Sequence, residues 1–274
     1  MAEPTRRAAV LGRPIAHSLS PLLHRAAYAA LAIDWTYEAI DCGADDLTAV
    51  LADRCDWAGF SCTMPLKRAA IVVADDVRPA AVAVGAANTL LPRRGGGWIA
   101  ENTDVSGIVA TLREAGLAPA TATVLGAGGT AQAAVAAFAQ LGIGACTLLV
   151  RDVERTADVR ASADRLNVAI DIAVLHADAD ALRADVVVST LPPGAADALA
   201  GVRWRARQIV LDVVYDPWPT QLAASAAGTG ATVLSGALML LHQAAAQVEL
   251  MTGEPAPVDA MRAALRAARP NAGL

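Results

Sequence analysis

The sequence predicts an α/β protein in which one structural unit is interrupted by another. Three observations carry this reading. Short β-branched or apolar runs alternate with alanine-rich stretches at helical spacing along the whole chain. A glycine-rich turn stands where one such run meets a helix near position 126, and the last two helical stretches carry too much apolar surface to stand alone. At 274 residues the chain is long enough for two modest units, each with its own core.

The first unit opens with a strand at 8–11, after which GRPIAHSLSPLLHR leads into a helix. Ser20 before Pro21 reads as an N-cap with proline at the first helical position, and Leu22, Leu23, Ala26, Ala27, Ala30 and Leu31 supply the apolar face. Ser18 has no part in that helix start. Further strands are expected at 35–40, 58–62, 88–91 and 98–101 with helices between them, followed by a helix from about 105 to about 116. Pro119, Thr121 and Thr123 mark the start of the second unit, whose strands are expected at 121–125, 146–150, 168–174, 186–190, 209–214 and 231–234. Helices at 236–251 and 258–268 return to the first unit. The boundaries are then 1–105, 106–234 and 235–274, with the cleft between units as the natural ligand site.

Composition excludes several classes of function. A formal charge of -5 and an isoelectric point near 5.3 come without a basic run, so nucleic acid is not an expected partner. Mean hydropathy is +0.42, yet the longest weakly polar run, 133–150, is broken by Gln140, Gly142, Gly144 and Thr147. It falls short of the ~20 residues that a membrane span needs. Few apolar residues separate Arg7 from Arg13 and Pro14, too few for a signal-peptide core, and a cytoplasmic location is expected. Cys42, Cys55, Cys62 and Cys146 show no CxxC or Cys/His spacing and read as free thiols. His17, His24, His176 and His242 are equally scattered, so no metal is expected.

TVLGAGGTAQAA matches G-x-G-x-x-A through Gly126, Gly128 and Ala131, after a strand and before a helix, inside a βαβ unit of about 30 residues. Gly126 permits the tight turn, Gly128 lets backbone approach a pyrophosphate, Ala131 lets helix and strand pack, and the helix N-terminus offers free N–H groups. This is a Rossmann-type dinucleotide site. In LLVRDVERT, Arg151 and Arg155 at the exit of the next strand suit the 2'-phosphate of NADP, while Asp152 suits the ribose hydroxyl of NAD. Two arginines against one carboxylate favour NADP.

The first unit collects small polar groups at its strand ends. Thr63, Pro65 and Lys67 follow the strand at 58–62, Asn88 and Thr89 lie in AVGAANTLL, and Asn102, Thr103 and Asp104 lie in IAENTDVSG. Asp104 could equally be only a helix cap.

The motifs GRPIAHSLSPLLH, CTMPLK, GAANTL, ENTDVSG, GAGGTAQAA, DVVYDPWPTQL and SGALMLLHQAA occur in the order and spacing of the shikimate dehydrogenase family, and together they span nearly the whole chain. The chain resembles that family. The resemblance implies an N-terminal α/β substrate domain completed by the C-terminal helices, with a Rossmann-type NADP-binding domain inserted. It implies reversible NADPH-dependent reduction of 3-dehydroshikimate to shikimate in aromatic amino-acid biosynthesis, with small-molecule partners, no membrane, and a monomer or homodimer. Carried over by motif, Ser18 and Ser20 resemble the hydroxyls that hold the substrate carboxylate, and Lys67 and Asp104 the catalytic pair. Thr63, Asn88 and Gln243 resemble contacts to the ring hydroxyls and carboxylate, and Tyr215 a tyrosine near the substrate. Gly126, Ala127, Gly128, Gly129 and Thr130 resemble the pyrophosphate loop, and Arg151 and Arg155 the 2'-phosphate clamp. Thr190 and Val213 would line the nicotinamide half, and Gly236 would meet the carboxamide.

Some positions depart from the family pattern: Val150 and Asp152 flank Arg151, Ser61-Cys62-Thr63 replaces Asn-Val-Thr, Val188-Ser189-Thr190-Leu191 replaces Asn-Ala-Thr-Ser, and Glu101 replaces the glycine before Asn102. The alternatives are NAD use, a dual quinate and shikimate dehydrogenase, a non-catalytic NADP-binding sensor on the same fold, and a folate-linked dehydrogenase of similar layout. Paired serines at 18 and 20 favour shikimate, and a sensor has no need of Lys67 with Asp104.

Overall fold

A computed structural model describes residues 6–52, 54, 56–116, 120–176 and 180–274; Cys55 and Pro119 lie outside them. Contacts divide the chain into two compact units, Met1–Asp104 with Leu241–Ala268 and Val105–Leu240 with Arg269–Leu274.

The first unit contains β1 (Arg7–Gly12), α1 (Ser20–Ala30), β2 (Thr36–Asp41), α2 (Leu47–Ala52), β3 (Gly59–Cys62), α3 (Ala69–Val72), β4 (Asp76–Val77), α4 (Pro79–Val84), β5 (Thr89–Pro92) and β6 (Trp98–Glu101). Its sheet runs β2-β1-β3-β5-β6-β4. All pairings are parallel except those of β5, which is antiparallel to both β3 and β6. The helix expected between the last two strands is absent, because 93–97 closes a hairpin through Arg93 N–H to the Gly97 carbonyl at 2.9 Å. Five residues cannot make the crossover that parallel strands require, so the pair must be antiparallel. The core under this sheet joins Leu11, Leu47, Phe60, Leu66 and Leu90, all fully buried, with Trp57 and Trp98. Each large side chain removed from water contributes about 1.5–3 kcal/mol before entropy is counted.

α5 (Asp104–Glu114) begins at the end of β6. The second unit then holds β7 (Ala122–Leu125), α6 (Gly129–Gln140), β8 (Ala145–Val150), α7 (Ala157–Leu166), β9 (Ala169–Val174), β10 (Val186–Ser189), β11 (Ile209–Asp212), α8 (Gln221–Gly228) and β12 (Thr232–Ser235). Its sheet is wholly parallel, in the order β12-β11-β10-β7-β8-β9. The chain winds outward from β7 through β9, then returns to the other side of β7 at β10, which makes the β7/β10 junction the switch point of a doubly wound sheet. α6 is buried from Ala131 through Phe138, which its alanines permit by letting backbone pack closely.

β11 stops at Asp212, two residues before the expected end, because the Asp212 carboxylate accepts the Val214 N–H at 3.2 Å and turns the chain off the sheet. α9 (Gly236–Thr252) and α10 (Val258–Ala268) follow. α10 packs on α1, with Met261 and Leu265 buried on one and Leu23 and Ala27 on the other, so the C-terminal helices complete the first unit.

The start of α1 corrects the sequence reading. Leu19 stands at the N-cap, Ser20 is the first helical residue, and the Ser20 N–H donates to Ser18 Oγ at 3.3 Å. The capping hydroxyl must lie upstream of the N–H that it accepts, and Ser18 rather than Ser20 has that offset.

Candidate active site

Four strand ends meet along one edge of the first sheet. β1 and β3 are parallel and finish there together, with Leu11 beside Cys62. Antiparallel β5 begins there, with Thr89 beside Ser61, and β6 finishes there, with Glu101 beside Thr89. The topology therefore delivers the Ser18 turn, the Thr63 to Lys67 turn, Asn88, and the Asn102 to Asp104 segment to the same edge. The Arg13 N–H donates to the Met64 carbonyl at 3.0 Å, which ties the first two turns together.

Lys67 and Asp104 form the centre of this group. Lys67 Nζ donates to Asp104 Oδ2 at 2.5 Å. The lysine side chain is 23% exposed and the aspartate 7%, so the lysine is partly open to solvent while the carboxylate is enclosed. Asn88 Nδ2 donates to the other carboxylate oxygen at 3.0 Å, and Thr103 Oγ1 and Gln243 Oε1 lie within reach of the same amide at 2.9 and 3.2 Å. The Thr103 N–H can only donate, and it donates to Asn88 Oδ1 at 2.8 Å, which fixes the amide orientation. Asp104 is not a mere helix cap: its own N–H is accepted by Asn102 Oδ1 at 3.0 Å, leaving its carboxylate to the lysine and Asn88.

Ser18 is half-buried and Ser20 buried in the first turn of α1, where free N–H groups and the helix dipole suit a carboxylate. The Ser20 carbonyl accepts from His24 Nδ1 at 2.9 Å. Burial lowers the His24 imidazole to about 4, so the ring is neutral and Nδ1 carries the proton that the carbonyl needs.

In the second unit the glycine loop lies at the β7/β10 switch point. Gly126 has φ +108°, and a Cβ there would stand 2.7 Å from Thr190 Oγ1. Thr190 Oγ1 in turn donates to the Leu125 carbonyl at 2.8 Å. Gly128, the N-cap of α6, differs: a Cβ there would meet no protein atom within 4 Å. The space beside Gly128 and the N–H groups of Gly129 and Thr130 at the helix start fit a pyrophosphate. Ala127 and Thr130 are half-buried in the same turn.

At the exit of β8, Arg151 and Arg155 are exposed, and Asp152 Oδ1 accepts the Glu154 N–H at 3.0 Å to cap the short turn that follows. Beyond β11, Val213 and Tyr215 are half-buried on the turn set by Asp212. Burial pushes the Asp212 carboxyl up, against hydrogen bonds from Thr220 and the Val214 N–H. Gly236 must be glycine, because its Cβ would fall 1.9 Å from the Val213 carbonyl oxygen. Among the described residues no cluster of His, Cys, Asp and Glu could hold a metal ion, and no helix is long and apolar enough to cross a membrane.

Two family models match the chain, the shikimate dehydrogenase substrate binding domain at residues 10–90 and the shikimate 5'-dehydrogenase C-terminal domain at residues 236–266. The shikimate dehydrogenase (NADP(+)) of Moorella thermoacetica is 38% identical over 275 residues, covering 95% of this chain and 92% of the relative. The chain belongs to the shikimate dehydrogenase family. Among solved structures, shikimate dehydrogenase of Mycobacterium tuberculosis superposes with a TM-score of 0.86 at 46% identity, covering 96% of this chain and 99% of that one. The Thermus thermophilus shikimate 5-dehydrogenase, solved in complex with NADP(H) and shikimate, gives 0.83 at 31% identity, with 96% and 100% covered.

Within this member of the shikimate dehydrogenase family, Lys67, Asn88, Asp104 and Gln243 form one bonded group, and Thr63 shares their sheet edge. Tyr215, Thr190, Val213 and Gly236 belong to the second unit. Sequence reasoning missed Gln247, a buried amide one helical turn beyond Gln243; the four-residue spacing, which puts both amides on one face of α9, was the available signal.

Proposed function

We propose that this chain catalyses the reversible NADPH-dependent reduction of 3-dehydroshikimate to shikimate in aromatic amino-acid biosynthesis. The observation that carries the reading is the Lys67 to Asp104 pair at 2.5 Å, with Asn88 on the second carboxylate oxygen and a partly exposed lysine side chain. Family membership supplies the substrate class. NADPH, held by Gly126, Ala127, Gly128, Gly129, Thr130, Arg151 and Arg155, with Thr190, Val213 and Gly236 at its nicotinamide half, supplies the hydride.

The remaining work falls to this chain's own residues. As the ring carbonyl is reduced, negative charge grows on its oxygen, and Lys67 Nζ stabilises that charge and donates the proton. In the reverse direction neutral Lys67 takes the hydroxyl proton. Asp104 holds the lysine in place and accepts from the neighbouring ring hydroxyl. Ser18 and Ser20 donate to the substrate carboxylate, and Thr63, Asn88, Gln243 and Tyr215 fix the remaining groups of the ring.

NADP rather than NAD is the cofactor in this reading. One Asp152 oxygen is engaged by the turn after β8, whereas Arg151 and Arg155 are both exposed for a phosphate. The proposal includes a cytoplasmic monomer or homodimer. A spectrophotometric assay tests it: shikimate with NADP gives nicotinamide absorbance, the same assay with NAD is slower, and quinate turns over poorly. Absence of turnover with shikimate and either nucleotide overturns the reading. Arg151→Ala raises the KM for NADP about tenfold or more and leaves that for NAD nearly unchanged, since only NADP carries the 2'-phosphate; equal changes would refute the clamp.

A further inference from the structure

The geometry points to Gln247 as a positioning residue for the catalytic carboxylate, at the middle of a buried chain of hydrogen bonds that ends on Asp104. This inference rests on the function proposed above, and nothing in the family's motif set assigns Gln247 a role.

The bonds run in one direction. Ser61 Oγ donates to Gln247 Oε1 at 2.7 Å, and since a hydroxyl has one hydrogen, Tyr37 must be the donor in its 2.5 Å contact with Ser61 Oγ. Burial pushes the Tyr37 hydroxyl well above its ordinary value, which keeps that proton in place. Gln247 Nε2 donates to Thr89 Oγ1 at 2.9 Å and to the Asn88 carbonyl at 3.1 Å, so both its hydrogens and its oxygen are engaged. Thr89 Oγ1 donates to Asn88 Oδ1 at 2.9 Å, and Asn88 Nδ2 donates to Asp104 Oδ1 at 3.0 Å. Each donor is itself an acceptor from the preceding group, a series in which every bond polarises the next.

Tyr37, Ser61, Asn88, Thr89 and Gln247 are all buried, so water does not compete for these bonds. The carboxylate thus takes a hydrogen bond from Asn88 on one oxygen and the ammonium of Lys67 on the other. Ser61, where the family pattern has asparagine, is the residue that engages Gln247, so the departure from the pattern belongs to the same chain of bonds. Gln247 holds Asn88 by its carbonyl and, through Thr89, by its side-chain oxygen, and thereby aims the Asn88 amide at Asp104.

The test compares wild type with Gln247→Met, Thr89→Val and Thr89→Ser. Thr89→Val keeps shape and deletes the hydroxyl that links Gln247 to Asn88; Thr89→Ser restores the hydroxyl. The expected result is a fall in kcat/KM for shikimate of about tenfold in Gln247→Met and Thr89→Val, with the KM for NADP within about twofold of wild type and near-complete rescue in Thr89→Ser. Hydrogen exchange of the Asn88 side-chain amide, followed by nuclear magnetic resonance, accelerates about tenfold in the same two variants as the buried hydrogen-bond chain opens. A purely structural role would lower Tm while leaving exchange and per-molecule turnover unchanged, and that result overturns the inference. If Gln247→Met does not fold, the Thr89 pair decides. If wild type shows no turnover with shikimate, the functional reading fails, and the Asn88 exchange alone decides the positioning role.

Discussion

In the proposed reaction Lys67 carries the largest single chemical burden, and its surroundings say why a lysine there differs from a solvated one. Its ammonium is bonded to an enclosed carboxylate, and the lysine side chain as a whole retains 23% exposure, so the residue is held in place without being sealed from solvent. Lys67→Ala is expected to lower kcat about a thousandfold, within the range of a lost general acid, and to change the KM for shikimate by less than about threefold, since Ser18, Ser20 and Asn88 remain. Steady-state kinetics with shikimate and NADP checks it, and near-native kcat would exclude the lysine as proton donor. The types of residue at this site were legible in the sequence because chemistry collects at strand ends. Their partners were not: the sequence reading gave the helix cap to Ser20 and none of it to Ser18, whereas Ser18 Oγ is what accepts the Ser20 N–H.

At the scale of elements, the two glycines of the loop after β7 have different reasons to be glycine. Gly126 is dictated by the protein, through its positive φ and the Thr190 hydroxyl 2.7 Å from any Cβ. Gly128 is not, since its Cβ would point into open space. Gly128→Val is therefore expected to leave thermal stability almost unchanged while raising the KM for NADP about tenfold or more, because the branched side chain occupies the pyrophosphate approach. Gly126→Ala is expected instead to destabilise the fold by about 1–3 kcal/mol. Differential scanning fluorimetry beside cofactor titration separates the two, and a Gly128→Val protein that binds NADP normally would dissolve the loop's assignment. The βαβ unit was legible because its spacing and glycines are local. The antiparallel turn of β5 was less so, because a short apolar strand looks the same in either direction and only the five-residue hairpin at 93–97 decides.

For the whole molecule, what the sequence could not express is contact between distant faces: Ser61 and Gln247 are bonded across 186 residues of chain. Periodicity shows which face of α9 is apolar but not which polar group on another element will meet a glutamine in it. The fully buried His24 is a second such case, and it makes a global property depend on pH. Its ring stacks on Tyr37 with centroids 3.9 Å apart, and its proton is committed to the Ser20 carbonyl at the start of α1. Burial lowers it from 6.5 to about 4, so between those values the unfolded chain binds the proton and the folded chain does not. Stability from this group is complete above about pH 6.5 and declines as pH falls toward 4, by about 2 kcal/mol at pH 5. Urea unfolding of wild type and His24→Phe at pH 7.5 and pH 5 measures it: the phenylalanine keeps a stacking ring and removes the titration. His24→Phe is expected to be less stable at pH 7.5, having lost the Ser20 bond, but to lose about 2 kcal/mol less than wild type on acidification. Equal losses in the two proteins would show that the histidine takes up its proton as readily in the fold as in the unfolded chain, and would overturn the burial argument.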